Sequence, residues 1–472
     1  MFDSKLITLF KSLKKDERIQ IRKWIRSEFV NKNEDIVNLF DFIDSRKEIK
    51  ENVVKKQKVF EHLFEGQPYD DAKLRHLMSF TSEIIEEFFI WHYFSNQPFA
   101  SKLTLIKYYS RNKMNKYFNE CVRTLNKDLS VTNKRDIDYY RTKYELELEK
   151  NRVVNYDTRN SEDNFSLLFE QLHVYTIVEI LRNACNAIPY KDLKDLQFDI
   201  PLLQPILDLL KNGKYSEINI LQIYYLLFIT LSENAEAYFE NLILLIKKSE
   251  LELSQEELKD IYLLCINFCI KKFNKEGNLN FAKYAYELYI TSIDNGCLLE
   301  GNELSRFSFT NIVTFGLKIK NPNEVEQFIN EYKKFLSPTF EEATVSYNMC
   351  KIHFLRNQFD KAMPLLMSIE YKDIMWNINA KYLLLKILYV TNQMDTLETF
   401  LNSFNVFIHR QKEIGYHKEY FNQIIKQLNV LSKLSKMPKR ARAPKVVEYL
   451  EKTILLDKEW FQIRFDELLL SR

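Results

Sequence analysis

Glycine is scarce in this chain, 7 in 472 residues, and proline is hardly commoner at 10. Hairpins and tight corners lean on those two residues, so their shortage argues against a sheet-rich fold and for helices. It also removes a class of chemistry. No glycine-rich turn stands ahead of a helix to cradle a phosphate, and there is no HExxH and no nucleophile elbow. The six cysteines (Cys121, Cys185, Cys265, Cys269, Cys297 and Cys350) are dispersed without a CxxC pair. That pattern suits reduced thiols used as small apolar fillers better than a disulfide framework or a zinc site.

Long apolar runs are missing too. The longest, Ile218 to Leu231, contains Asn219 and Gln222, and it is shorter than the ~20 residues a membrane-spanning helix needs. Asp3 and Lys5 precede any apolar stretch, unlike a signal peptide. Neither sign of charge dominates: 68 Lys and Arg stand against 65 Asp and Glu, a net charge of +3, which selects no anionic partner in bulk. These absences predict a cytoplasmic protein with no membrane segment, no cofactor, no metal and no catalytic site.

What the chain has is apolar surface. Hydrophobic residues make up 46%, including 35 Phe and 27 Tyr, enough for continuous burial. At 472 residues it exceeds one ordinary core, a limit that stacked repeats escape by growing in one dimension.

A repeat is visible. Asn357-Gln358-Phe359-Asp360-Lys361-Ala362 returns 35 residues later as Asn392-Gln393-Met394-Asp395-Thr396-Leu397. Tyr347, Met349, Ile352 and Phe354 become Tyr382, Leu384, Ile387 and Tyr389, and Leu366 and Ile369 become Leu401 and Phe404. One unit earlier, at an offset of 37, Ile312, Val313, Phe315 and Leu317 fall on Met349, Cys350, Ile352 and Phe354, with Asn323 and Val325 on Asp360 and Ala362. A period of this size means stacked two-helix hairpins, because one hairpin cannot bury its own apolar face.

The remaining chain reads as helices around this repeat. Over 1–100, Ile21, Trp24, Ile25 and Phe29 share one helical face; Ile36, Leu39, Phe40 and Ile43 share a second; Val59, Phe60, Leu63 and Phe64 a third, ended by Gly66. Asp70 is placed to cap a long helix carrying Leu74, Leu77, Phe80, Ile84, Ile85 and Phe88. Residues 101–215 continue as less regular helices, with Tyr108, Tyr109 and Phe118 apolar at helical spacing, a polar loop or frayed helix end over 150–164, and a connector marked by Pro189, Pro201 and Pro205. The hairpin rhythm clears over 216–434, where Ser232 is a candidate cap, and Ser254 with Glu257 and Thr339 with Glu342 have capping-box spacing. Residues 437–444 read as a linker and 445–472 as one final helix that caps the repeats, with Val446, Tyr449, Leu450, Ile454, Leu455 and Phe461 facing inward.

Phe354, Phe359, Ala362 and Leu366 resemble the tetratricopeptide pattern: an aromatic late in helix A, another before helix B, and a small residue inside helix B. The departures are Asn357 and Asn392 where the turn glycine is expected, Leu397 and Val325 at the small position, and Ser346 at the early tryptophan. The layout also resembles that of uncharacterised bacterial helical-repeat proteins. The resemblance implies an all-α fold, an α-solenoid of antiparallel helix hairpins with a helical N-terminal region, whose helix-A row lines a concave groove. Lys351 and Lys386 are register partners on that row, as are Tyr347 and Tyr382, and Asn348 and Arg356 lie nearby. Lysine by charge and tyrosine by packing would hold an extended, acidic peptide. The expected function is therefore a non-enzymatic scaffold or adaptor for a protein or peptide. Reversing Lys351 and Lys386 to glutamate is expected to abolish capture and leave helicity unchanged.

Alternatives rest on smaller clusters. Arg18, Arg22 and Arg26 form one basic stripe, after Lys11, Lys14 and Lys15, that would meet nucleic-acid phosphates or simply face solvent. Lys433 to Lys445 is a second basic run. His409 with His417, and Cys265 with Cys269, have spacings a metal could use, but Gly415 interrupts the helix between the histidines and no second ligand pair accompanies the cysteines, which suits solvent-facing histidines and core thiols.

Overall fold

The computed structural model describes residues 1–46, 49–97, 99–157, 165–194, 199–367, 374–411 and 417–470. The described residues are almost entirely α-helical, with 23 helices. The chain divides into two compact units, Met1–Ile180 and Leu181–Arg472, and the division falls inside one long helix.

Unit 1 is built on a central helix. Helices α1 (Lys5–Ser12), α2 (Lys15–Ile25), α3 (Glu34–Asp44) and α4 (Lys56–Leu63) all pack on α5 (Asp71–Asn96). Asp70 starts α5 by accepting from the Lys73 N–H at 3.0 Å. Leu6, Phe10, Ile21, Ile25, Phe40, Phe60, Leu74 and Phe88 meet in one core. Not every residue on the expected faces goes inside. Phe29 lies beyond the end of α2 and is 98% exposed, and Phe80 and Tyr108 are exposed on their helices. Helices α6 (Ala100–Arg111), α7 (Asn115–Val131) and α8 (Ile137–Asp157) follow, with α6 packed on both of the others. Of the two readings for 150–164, a loop or a helix end, the structure shows helix as far as Asp157; residues 158–164 lie outside the described set. Helix α9 (Phe165–Lys194) runs straight through Pro189, which deprives the Cys185 carbonyl of its helical donor. A proline expected to end a helix is tolerated here inside one.

Unit 2 packs its helices mainly in chain order. They are α10 (Leu203–Lys211), α11 (Asn219–Ser232), α12 (Phe239–Ser249), α13 (Gln255–Glu276) and α14 (Leu279–Asp294), then α15 (Arg306–Ile319), α16 (Pro322–Tyr332), α17 (Glu341–Leu355) and α18 (Phe359–Met367). Helices α19 (Ile374–Val390), α20 (Met394–Arg410), α21 (His417–Ser435), α22 (Lys439–Lys452) and α23 (Lys458–Leu470) complete it. Between α14 and α15 lies a two-stranded hairpin, Leu299–Glu300 with Glu303–Leu304. Gly301 and Asn302 both have positive φ there, as a two-residue turn requires.

Two turns 35 residues apart match. Asn357 and Asn392 both sit in the left-handed region, at φ 56° and 58°, where asparagine is the best substitute for glycine. Their hydrogen bonds match one for one. Asn357 N–H donates to Phe354 O at 3.1 Å and Gln358 N–H to His353 O at 2.8 Å; Asn392 N–H donates to Tyr389 O at 3.0 Å and Gln393 N–H to Leu388 O at 2.9 Å. Both are Schellman caps, which satisfy carbonyls left free at a helix end. The third turn differs. Between α15 and α16 Lys320 is extended, and the Asn321 side chain accepts from the N–H groups of Asn323 and Glu324, with Pro322 opening the helix. Its register matches the other two, but a different device makes its turn.

Close packing follows the register as well. Ala362, Leu397 and Val325 are all buried on their second helices. A Cβ on Gly316 would come within 3.2 Å of Tyr286 and Val325, so glycine there lets neighbouring helices approach.

Ser254 caps α13, accepting from Glu257 N–H at 3.3 Å, and the Glu257 carboxylate takes a hydrogen bond from the buried Tyr224 hydroxyl at 2.9 Å. Two other capping expectations are corrected. Phe340, not Thr339, precedes α17. Ser232 ends α11 and donates back to Phe228 O. The C-terminal segment is two helices, α22 and α23, broken at 453–457, and α22 starts within the expected linker, with Pro438 as its cap residue. That break leaves Ile454 87% exposed, whereas Val446 and Phe461 are buried as their spacing predicts.

Candidate functional site

Helices α15, α17 and α19 supply the row on which the candidate peptide-binding residues fall. Thr310, Tyr347 and Tyr382 share one register position; Thr314, Lys351 and Lys386 share another. The structure sorts the six candidates into three local arrangements, each already engaged within unit 2.

The first surrounds Lys351. Asn348 is completely buried and donates from Nδ2 to Thr310 Oγ1 at 3.1 Å and to Thr344 O at 2.9 Å. Its Oδ1 has no donor among the described residues. The Lys351 ammonium donates to Thr314 Oγ1 at 2.8 Å and lies 4.7 Å from the centroid of the Tyr347 ring. Tyr347 itself packs on Trp376 with ring centroids 5.3 Å apart. No carboxylate pairs with Lys351 among the described residues. Loss of hydration, uncompensated, lowers its ammonium pKa to about 7.

The second surrounds Lys386. Its ammonium is paired with the Asp457 carboxylate. Tyr382 donates its hydroxyl to the same Asp457 Oδ2 at 2.8 Å. Lys386 lies over the Tyr382 ring at 4.6 Å and near the Trp460 ring at 5.3 Å, and Tyr389 meets Trp460 edge-on at 5.8 Å. Farther back in the chain, Lys318 on α15 pairs with Glu459. Burial pushes Asp457 up, but the Lys386 charge and the hydrogen bonds from Lys386 and Tyr382 outweigh it and hold the carboxyl below its ordinary value. For Lys386, burial lowers the ammonium and Asp457 opposes it. Tyr382 is raised well above the ordinary phenol value, by burial first and the Asp457 charge next.

The third is Arg356, which leaves the row. Its guanidinium pairs with Glu326 at 2.7 Å and bonds Asn323, both on α16. It ties one hairpin to the next.

Asp457, Glu459 and Trp460 were not foreseen. Their signal was hidden because 453–457 falls inside an otherwise helical apolar pattern. The bend there, with Asp457 at φ 44°, turns the acid towards the lysine row and starts α23.

The other sequence candidates are brought to quieter places. Arg22 pairs with Asp44 and Asp41, and Arg26 with Asp41, so acidic groups on α3 offset most of that stripe. Arg18 stacks over Phe10 at 4.8 Å. Lys436 in the second basic run pairs with Glu398 at 2.7 Å. Cys265 and Cys269 are buried thiols, and burial raises Cys265 to about 12. His409 is exposed, while Gly415 and the His417 side chain lie outside the described set. Among the described residues no group of three or more His, Cys, Asp or Glu is placed to hold a metal, and no helix is long and apolar enough to cross a membrane.

No protein-family model, no curated protein and no solved structure matches this chain.

Proposed function

We propose that the chain is a cytoplasmic, non-enzymatic scaffold whose second unit is a divergent tetratricopeptide-like solenoid that captures a protein or peptide with acidic and aromatic side chains. One observation carries this proposal. The lysine–tyrosine row already holds such a segment, the Asp457–Glu459–Trp460 stretch of the chain itself, through Lys318, Tyr382, Lys386 and Tyr389. The matched caps at Asn357 and Asn392 support the stacked-hairpin architecture that would set out such a row. Among the described residues Lys351 is the row's remaining cation without a carboxylate, and an acidic side chain of a partner would supply one.

Lys386 is a poor probe, because Lys386→Glu would set two carboxylates together and loosen α23, so the double reversal would not leave the fold intact. Lys351→Met keeps the volume and removes the charge. Affinity purification of the full chain from its native cell should recover a partner that this variant retains at least ~10-fold less, a loss of ~1.4 kcal/mol or more, with unchanged far-ultraviolet circular dichroism. Equal recovery by both proteins would remove Lys351 from the binding face.

A further inference from the structure

Within unit 1, helices α6, α8 and α9 enclose a cleft with a volume of about 410 Å³. That is within the usual range for small-molecule sites. Four cations, Lys107, Arg111, Arg141 and Arg152, face the cleft against two carboxylates, Glu145 and Glu149.

The cations are not all used up internally. Lys107 is paired with Glu145. Among the described residues Arg141 and Arg152 form ion pairs only one turn away on their own helix, with Asp138 and Glu149, each at 2.6 Å, and both guanidinium side chains stay about half exposed, at 48% and 51%. Such local surface pairs are weak and leave donors free. Arg111 has no ion pair among the described residues. Several guanidinium groups around one cleft suit a group with several anionic oxygens, above all a phosphate.

Two further observations concern what the phosphate is attached to. Tyr144 and Tyr175 line the cleft with nearly parallel rings, 10° apart in plane at a centroid distance of 6.2 Å. Both residues are half-buried, and a ring face open to a cleft stacks on planar bases. Glu149 is 1% exposed, with one oxygen held by Arg152 and Oε2 without a donor among the described residues. A buried carboxylate oxygen left unpaired is costly, and a ribose hydroxyl or an exocyclic amine reaching the floor of the cleft would pair it.

From this combination we infer that unit 1 carries a nucleotide-binding site, with Arg111, Arg141 and Arg152 taking the phosphate, Tyr144 and Tyr175 the base, and Glu149 a hydroxyl or amine of the nucleoside. The chemistry is binding only. It uses helix side chains where nucleotide sites more often use a glycine-rich loop, and the sequence has none.

The test is calorimetric titration of the full chain with AMP, ATP, adenosine and inorganic phosphate. The expected result is saturable binding of AMP or ATP, with adenosine and phosphate each at least ~10-fold weaker, because each meets only half of the site. Arg111→Ala changes an exposed residue and should weaken nucleotide binding ~10-fold or more without altering the melting temperature. Glu149→Gln removes the charge that Arg152 pairs with and should lower the preference for nucleotide over inorganic phosphate ~10-fold or more; its melting curve reports whether it remains folded, and Arg111→Ala decides the matter if it does not. Absence of nucleotide binding at millimolar concentration overturns the site. So does phosphate binding as tightly as AMP, or an Arg111→Ala protein that binds like the parent.

Discussion

At the scale of single residues, unit 2 shows how one register position serves two ends. Lys351 and Lys386 occupy equivalent places, yet one ammonium has a hydroxyl for a partner and the other a carboxylate. The difference is visible in protonation. A lysine whose folded pKa lies below its unfolded one penalises the folded state wherever the ammonium must be charged. For Lys351 that penalty is fully present below about pH 7 and fades as pH rises towards the ordinary lysine value of 10.5. A tenfold change in proton affinity is worth ~1.4 kcal/mol, so the ceiling is ~5 kcal/mol. Lys351→Met should therefore be more stable than the parent at pH 6 by a few kcal/mol, with the gap closing towards pH 10. Urea denaturation of both proteins across that range measures it. A gap that stays constant with pH would mean the amine is as well hydrated folded as unfolded.

At the scale of elements, the two matched turns of unit 2 are held by backbone hydrogen bonds as well as by the apolar faces around them. Asn357 and Asn392 are at least partly open to solvent, so substitutions there act mainly through the backbone. Alanine in a left-handed conformation costs ~1 kcal/mol or more, whereas glycine takes it freely. Asn357→Ala should lower the stability of unit 2 by ~1 kcal/mol, and Asn357→Gly should match or slightly exceed the parent. Unit 2 tryptophan fluorescence against urea distinguishes them, and an alanine variant indistinguishable from glycine would mean that this cap is not formed in solution. The paired asparagines were legible in the sequence because they repeat at a fixed offset. The Asn321 cap of the third turn matched in register but not in mechanism, since an alignment of apolar positions is blind to which backbone groups need partners. The break at 453–457 was not legible, because Ile454 and Leu455 keep the helical rhythm although the chain bends there.

At the scale of the molecule, two units with their own cores should not unfold as one. Each carries two tryptophans, Trp24 and Trp91 in the first, Trp376 and Trp460 in the second. Unit 2 packs its helices mainly on neighbours in chain order, whereas in unit 1 α5 gathers several helices into one core. With Trp24 and Trp91 replaced by Phe, and separately Trp376 and Trp460, the two remaining signals should change at different urea concentrations. Superimposable curves would mean a single cooperative transition across both units.

Composition and periodicity were enough to determine a helical chain and the match between its turns at Asn357 and Asn392: few glycines leave few alternatives to helix, and apolar spacing records which face is buried. What occupies the row of lysines and tyrosines was decided only in three dimensions. Asp457 lies 71 residues from Lys386 in the chain, and nothing in local spacing says that a bend will bring them together. The cleft among α6, α8 and α9 is of the same kind. Its cations lie on two helices and its ring pair on two, so each stretch looks like an ordinary polar surface until packing sets them face to face.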